Sequence, residues 1–442
     1  MNRFALSVSR AVTRVTETAL GPYQTAVIRI GFSVTWLLFL LREFPHRQEL
    51  YGPDGPWSWD LAQRLITDNG AFSVLMWSDG RAWFEAVYAL AVLSSALLLV
   101  GWRTRTMSVL FMVGVLSLQN RSIFMGDGGD NVIHLMAVYL VFTRCGQVWS
   151  LDARRAGRDR LDRTARARTT ALPAPPVQPG EPALPEQPAL PALPEQPAQS
   201  PARADRVGPL LWAVLGLVLL VASATGKLGG GLLMELVLWG SWSAHGLWWL
   251  AGRSARGAQP RILLDVLGNI VHNAALLVIM AEACLIYSTA GWYKIQGSRW
   301  QDGTAVYYPL HLDYFSPWPA LSDLLTAHGT LVMLVTYGTV AAQVAFPFTL
   351  FNRRVKNVLL AAMITEHAVI AVVLGLPFFS LAMIAADAVF LPTSFLRWAG
   401  GRAARARGRL FPGGGNGTVP GPRGKERRTP ETAGRAHVGF TA

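Results

Sequence analysis

The chain has 442 residues, 51% of them hydrophobic and 15% charged, with a formal net charge of +13 and a mean hydropathy of +0.30. That balance lies outside the range of soluble globular proteins and excludes the two or three soluble domains that the length alone would allow. In a soluble protein the basic excess would point to nucleic acid; here the arginines gather in the termini and in particular loops, so the expected partner is the lipid bilayer and not nucleic acid.

Runs of about 18 or more mostly apolar residues recur, each long enough to cross a hydrocarbon core about 30 Å thick as a helix. In chain order they predict spans near 23–41, 83–102, 107–124 and 131–149. The apolar run at 26–41 lacks a small-residue cleavage site and continues into an aromatic, Pro-containing segment, so it reads as a span and not as a signal peptide. Beyond Pro209 the runs are 210–224, 232–250, 262–290, 331–351, 358–376 and 378–396. The hairpin at 210–250 could be re-entrant or interfacial, because its first member is short and 226–231 is a glycine-rich turn; since 150–206 and 251–261 both read as inside, it crosses twice or not at all. The expectation is an all-α, polytopic transmembrane helical bundle of eight to ten spans.

Lys/Arg placement orients it. Arg3, Arg10 and Arg14 put the amino terminus inside, Arg103 and Arg105 mark the next inside loop, and seven arginines from Arg154 to Arg168 mark another. Arg253, Arg256 and Arg261, then Arg353, Arg354 and Lys356, then the stretch from Arg397 complete the alternation. Both ends are therefore expected in the cytoplasm of a cell-membrane protein.

The expected organisation is a first membrane half over 1–150, a disordered cytoplasmic linker over 151–207, an inserted hydrophobic hairpin over 208–260, a second membrane half over 261–398 and a disordered basic tail over 399–442. The linker is Pro/Ala-rich and carries a near-duplicate, ALPEQPA at 183–189 and again at 192–198, a composition that favours extended polyproline conformations and builds no core. The outer segment 43–81 differs: Trp57, Trp59 and Trp77, with Trp83 just beyond, suit an interfacial belt and a structured cap. Cys145 and Cys284 fall in predicted spans at different depths, which argues against a disulfide, and two thiols make no metal site unaided.

The stretch from Tyr287 to Tyr308 is the most informative. Lys294 lies at the outer end of a span, either as an anchor whose amine reaches water or as a buried amine able to take a proton. Ala290 and Gly291 permit close helix approach, and Trp300 with Asp302 and Gly303 could fold the chain back over the lysine. Together with Leu118-Gln-Asn-Arg121 and Asp127-Gly-Gly-Asp130-Asn131, the segment Ala290-Gly-Trp-Tyr-Lys294-Ile, Trp300 and Gly303 resembles vitamin K-dependent gamma-carboxylases. It resembles more closely the related bacterial HTTM (horizontally transferred transmembrane) domain family, whose wider group includes sporulation-delaying protein B. The resemblance covers roughly 20–150 and 262–396. It implies that Lys294 is the base for a membrane quinol, in a carboxylase-like lyase or oxidoreductase with Asp130, Trp300 and Asp302 near the site. Two departures, Gly128-Gly-Asp130 in place of the carboxylases' Asn-Asn-His and a short basic tail in place of a luminal domain, point away from gamma-carboxylation itself. Quinol or quinone binding at the outer leaflet stays open.

The Asp127–Asp130 carboxylates have readings of their own: an ion-pair clasp with Lys294 or Arg121, or a hard-cation site. Ionisable groups within spans are costly and usually face the bundle interior. Arg29, His272, Glu282, Glu366, His367 and Asp387 qualify, as register-fixing pairs or as a proton or substrate path, with Arg29 at a depth that suits a pair with Asp387. Glu366 and His367 adjoin and so point about 100° apart on a helix, which excludes an HExxH-type metal site. Two functions follow: a quinol-dependent or peptide-modifying enzyme built on Lys294, or a non-catalytic membrane partner for maturation of, or immunity to, a small exported protein.

Overall fold

A computed structural model describes residues 3–170, 207–253 and 258–410. The duplicated Pro/Ala segment, Arg256 and the tail beyond Leu410 lie outside the described residues. The chain forms two units, Met1–Thr393 and Ser394–Ala442. Among the described residues all regular structure is helical, with no strand. Helices over Pro22–Tyr51, Arg81–Val100, Val207–Ala224, Gln259–Gln296, Gly329–Thr349 and Arg353–Val373 are long and apolar enough to cross a membrane. A seventh is added if Pro377–Phe390 and Thr393–Leu410 count as one broken span. This is the architecture of a multi-pass membrane protein.

Helix α1 (Arg3–Glu17) precedes α2 (Pro22–Glu43), which forms the centre of the bundle with Ile28, Phe32, Trp36 and Leu40 at most 1% exposed. Short helices α3 (Arg47–Tyr51) and α4 (Trp59–Asn69) build the tryptophan-rich cap, in which Trp59 Nε1 and Trp83 Nε1 donate to the carbonyls of Leu75 and Val74. Then come α5 (Arg81–Val100), α6 (Thr104–Arg121) and α7 (Gly128–Val141). Small residues bring these helices together: a Cβ at Gly31 would stand 2.5 Å from that of Ala385, and one at Gly114 would stand 2.9 Å from that of Ala91.

After α8 (Leu151–Thr170), helices α9 (Val207–Ala224) and α10 (Gly231–Arg253) form a hairpin. The rings of Trp212 and Trp242 stack at 4.2 Å, and each indole N–H donates to the other residue's carbonyl, at 3.0 and 2.9 Å. Each ring lies on a glycine of the opposite helix, Gly246 under Trp212 and Gly216 under Trp242, where a Cβ would collide. The long α11 (Ala258–Gln296) is followed by α12 (Ser298–Gln301), α13 (Pro319–Thr326), α14 (Gly329–Ala345), α15 (Arg353–Val373) and α16 (Pro377–Asp387). Finally α17 (Thr393–Leu410) forms nearly all of what is described of the second unit, with Arg402 over the Trp398 ring.

Several sequence expectations are adjusted. The span at 131–149 is a helix of 14 residues ending at Val141, and that at 378–396 is a helix of 11 residues ending at Asp387. By their own rise these cover about 21 and 16 Å, short of a hydrocarbon core of roughly 30 Å. Within the expected linker, Leu151–Thr170, rich in Ala, Arg, Leu and Asp, is helix. The basic tail likewise continues as helix to Leu410.

The buried polar groups of this unit serve mainly helix ends. Arg29 is fully buried and does not pair with Asp387: its guanidinium donates to the carbonyls of Leu98 (2.6 Å), Leu99 (3.1 Å) and Trp149 (2.8 Å). The first two belong to the last turn of α5, whose carbonyls have no helical partner and carry the negative end of the helix dipole. Gly101, at φ 72°, ends α5, and the guanidinium passes where its Cβ would be. At the same end Asn269, His272 and Asn273 form one face of α11. Asn269 Nδ2 donates to Thr16 O and Asn273 Nδ2 to Val15 O and Thr18 O, each at 2.9 Å. His272 Nδ1 accepts Arg144 N–H, which leaves Nε2–H to donate to Leu20 O, so the neutral imidazole clamps the α1–α2 turn.

Arg29→Ala is expected to destabilise the protein by about 3 kcal/mol or more, since it leaves three interior carbonyls without donors. Arg29→Lys, which keeps the charge but loses the fork, should recover only part of that. In a double-mutant cycle with Asp387→Asn, followed by thermal unfolding in detergent, coupling should stay within about 0.5 kcal/mol; a coupling of several kcal/mol would show that the two side chains are paired.

Candidate functional site

A different kind of polar cluster lies where the last third of α11 meets α14, α15 and α16. Tyr287 and Lys294 are seven residues, about two turns, apart and therefore share a face of α11. Gly291 sits between them, and a Cβ there would stand 2.7 Å from Val344 Cγ2, so the α11–α14 approach depends on its absence. Opposite Lys294, α14 places Gln343: the lysine Nζ donates to Gln343 Oε1 at 2.6 Å, and Gln343 Nε2 donates to Glu366 Oε1 at 3.1 Å. The amide is thus an intermediary that presents its oxygen to the amine and its N–H to the carboxylate. The Lys294 amine also lies 5.2 Å from the centroid of the Trp300 ring, within cation–π range.

Two turns earlier on α11, Tyr287 Oη donates to Asp387 Oδ1 at 2.9 Å and lies 3.1 Å from His367 Nε2. All three residues are 3% exposed or less. Phe346 packs edge-on against Tyr287 and Phe379 against His367, so apolar rings surround the triad. A tyrosine hydroxyl has one proton, so the two contacts admit two arrangements. With Asp387 ionised, Tyr287 donates to it and accepts from His367 Nε2–H. With Asp387 protonated, the carboxyl donates to Tyr287, which donates to His367 Nε2. The arrangements differ by one proton, and the triad can hold or release it without moving a heavy atom. Asp387 Oδ2 and His367 Nδ1 are buried and have no hydrogen-bond partner among the described residues. Glu366 is in electrostatic reach of Lys294 on one side and of Asp387 on the other, which connects the triad to the lysine.

The remaining sequence candidates are placed elsewhere. Asp302 is turned into its own loop, where it accepts from the Thr304 amide at 3.0 Å and from its hydroxyl at 2.5 Å, with Arg299 at 3.4 Å. The Thr304 hydroxyl, with that amide and Arg299, holds its carboxyl below the usual carboxylate range. Asp127 and Asp130 form a capping box at the start of α7: Asp127 Oδ1 accepts from the amides of Gly129 and Asp130, and Asp130 Oδ2 accepts from the Asp127 amide. Neither pairs with Lys294 or Arg121, and Arg121 donates instead to the carbonyls of Gly52 and Trp57. The expected convergence of Asp127, Asp130 and Asp302 on Lys294 does not occur, because each carboxylate is used by backbone N–H groups within three residues of it. Glu282 is half-buried, facing Tyr139. Cys145 and Cys284 are free thiols. Among the described residues no group of three or more His, Cys, Asp or Glu side chains is placed to hold a metal ion.

Gln343 and Tyr287 are the residues that sequence reading overlooked. Gln343 is the one amide of α14, set among Val and Ala in its last turn, and its isolation was the available signal. Tyr287 was detectable only through its seven-residue spacing from Lys294. Comparison of the chain with protein-family models, with curated proteins and with solved structures gives no match.

Tyr287→Phe should cost about 1–3 kcal/mol, the penalty for leaving a buried donor and acceptor unpaired. Adding Asp387→Leu to it should cost less than the sum of the two single changes, because each single change already breaks the bond they share. Thermal unfolding of the four proteins in detergent measures this, and strict additivity would show that the triad is not a unit.

Proposed function

We propose that the chain is a multi-pass enzyme of the cell membrane, resembling HTTM and vitamin K-dependent gamma-carboxylase-like proteins, in which Lys294 is a general base toward the hydroxyl of a membrane quinol. The observation that carries this reading is the setting of the Lys294 amine, half-buried at a helix end and bonded to a neutral amide with the nearest carboxylate one residue further away. An amine so placed can give and recover a proton without breaking a direct ion pair. Its neighbours Trp292 and Tyr293 are 61% and 73% exposed and, with Trp300, offer aromatic surface to a ring entering from the lipid. In the proposed step the quinol O–H bond breaks, its proton forms a fourth bond to Nζ, and Gln343 Oε1 steadies the ammonium while Glu366 balances its charge. Asp130 and Asp302 have no part in it.

The finer topology belongs to the same proposal: both termini in the cytoplasm, and up to ten spans if α6, α7, α10 and α16 are counted. The hairpin supports two crossings. At its turn Lys227 donates to Trp77 O and Gly230 packs on Phe72, beside the cap at the start of α5; at its other end the Trp248 ring lies under Arg105, beyond the end of α5. The hairpin therefore runs the length of α5.

A specific observation favours a second reading, a non-catalytic partner of a small exported protein. In the loop between α6 and α7, Ile123, Phe124 and Met125 are 51%, 67% and 41% exposed, with Phe124 edge-on to the Trp57 ring of the cap, an apolar surface suited to a peptide.

Membranes containing the chain should consume an added reduced naphthoquinol in air, and Lys294→Gln should return the rate to background with protein accumulation unchanged. A Lys294→Gln protein as active as the parent would end the catalytic reading; loss of function on Phe124→Ser with Lys294→Gln silent would favour the partner reading. A reporter fused at Gly229 should read as extracytoplasmic, and a cytoplasmic readout would remove the two hairpin crossings.

A further inference from the structure

A cavity of 1250 Å³ lies away from Lys294, between α5 and α6 on one side and the α9–α10 hairpin on the other, with α8 at one end. It exceeds the roughly 300–1000 Å³ typical of sites for drug-sized ligands. Its walls change character along its length. From Phe72 and Trp83 at the cap end, through Val87, Val113 and Leu215, the lining is apolar. At the other end five arginines, Arg103, Arg105, Arg144, Arg155 and Arg160, face it together with one carboxylate, Asp152.

That carboxylate is already engaged, accepting from the Arg103 and Thr104 amides and from the Thr104 hydroxyl at the start of α6. Arg144 is paired with Asp265 and Asn269. Among the described residues Arg105, Arg155 and Arg160 have no hydrogen bond or ion pair through their guanidinium groups; Arg105 and Arg155 lie over the rings of Trp248 and Trp102. Three cations at the mouth of a long apolar slot are complementary to one kind of molecule, an amphiphile with a phosphate head and long hydrocarbon chains. Trp83 to Val100 spans about 26 Å of helix, ample for an extended acyl chain.

We propose that this cavity is a binding site for one anionic membrane phospholipid, its acyl chains along α5, α6 and α9 and its phosphate at Arg105, Arg155 and Arg160. The occupant also accounts for the hairpin: α9 is long and apolar yet little buried by the rest of the chain, and a lipid would fill the space between it and α5.

The test uses the full chain, purified in detergent and stripped of lipid, with native mass spectrometry after addition of phosphatidylglycerol or phosphatidylcholine of the same acyl composition. One phosphatidylglycerol per chain should be retained in preference to phosphatidylcholine, with a rise in unfolding temperature that inorganic phosphate does not reproduce. Each of Arg105→Gln, Arg155→Gln and Arg160→Gln should weaken retention roughly fivefold. Leu215→Trp, which narrows the apolar part and leaves the arginines untouched, should weaken it. Equal retention of the two lipids, a thermal shift by phosphate alone, or retention undiminished in Leu215→Trp would each overturn the proposal. The lipid comparison and Leu215→Trp decide the matter even if an arginine variant fails to fold.

Discussion

The interior of this bundle offers no water to the last carbonyls of its helices, and the fold depends on how those carbonyls are satisfied. Arg29 meets two of them at the end of α5, together with Trp149 O just before α8. Tyr88 meets Leu40 O near the end of α2, Lys356 meets Phe390 O, and the two asparagines of α11 meet the last turn of α1. Each is a side chain from one helix capping the end of another, so each bond also sets the position of two elements. Packing alone would leave helices of similar apolar surface free to slide, and the contacts at Gly31, Gly114 and Gly291 hold only in one register.

This separates two uses of polarity within apolar helices. Where a side chain meets backbone, as at Arg29, His272 and Arg121, its capacity is spent on architecture. Where side chain meets side chain, as from Lys294 through Gln343 to Glu366 and from His367 through Tyr287 to Asp387, protons can be redistributed. Burying such groups is costly, and their retention in one cluster on four helices is the physical argument for a function there. Glu366 and His367, adjacent in sequence and pointing to different neighbours, connect the two halves.

The hairpin follows other rules. Two stacked tryptophans over two glycines hold α9 to α10 with little help from the rest of the bundle. It meets the bundle at its turn, through Lys227 and Gly230, and at its far end, under Arg105. Between these contacts its lining residues face those of α5 across the cavity.

Apolar run length and composition determined from sequence that the chain is helical and membrane-embedded, and ionisable residues in apolar helices marked Lys294, Glu366, His367 and Asp387. These are legible because the cost of placing backbone or charge in hydrocarbon depends on local sequence alone. Helix ends were less so: α7 and α16 stop early because of turns and bonds that apolarity does not encode. Partners were decided only by the tertiary structure. Depth along a helix made Arg29 and Asp387 look like a pair, but rotation about the helix axis, set by packing, sent Arg29 to the end of α5 and Asp387 to Tyr287. Asp127, Asp130 and Asp302 found backbone amides within three residues, a local competition that no long-range ion pair displaced. Gln343 acquired meaning only when α11 and α15 were brought to either side of it.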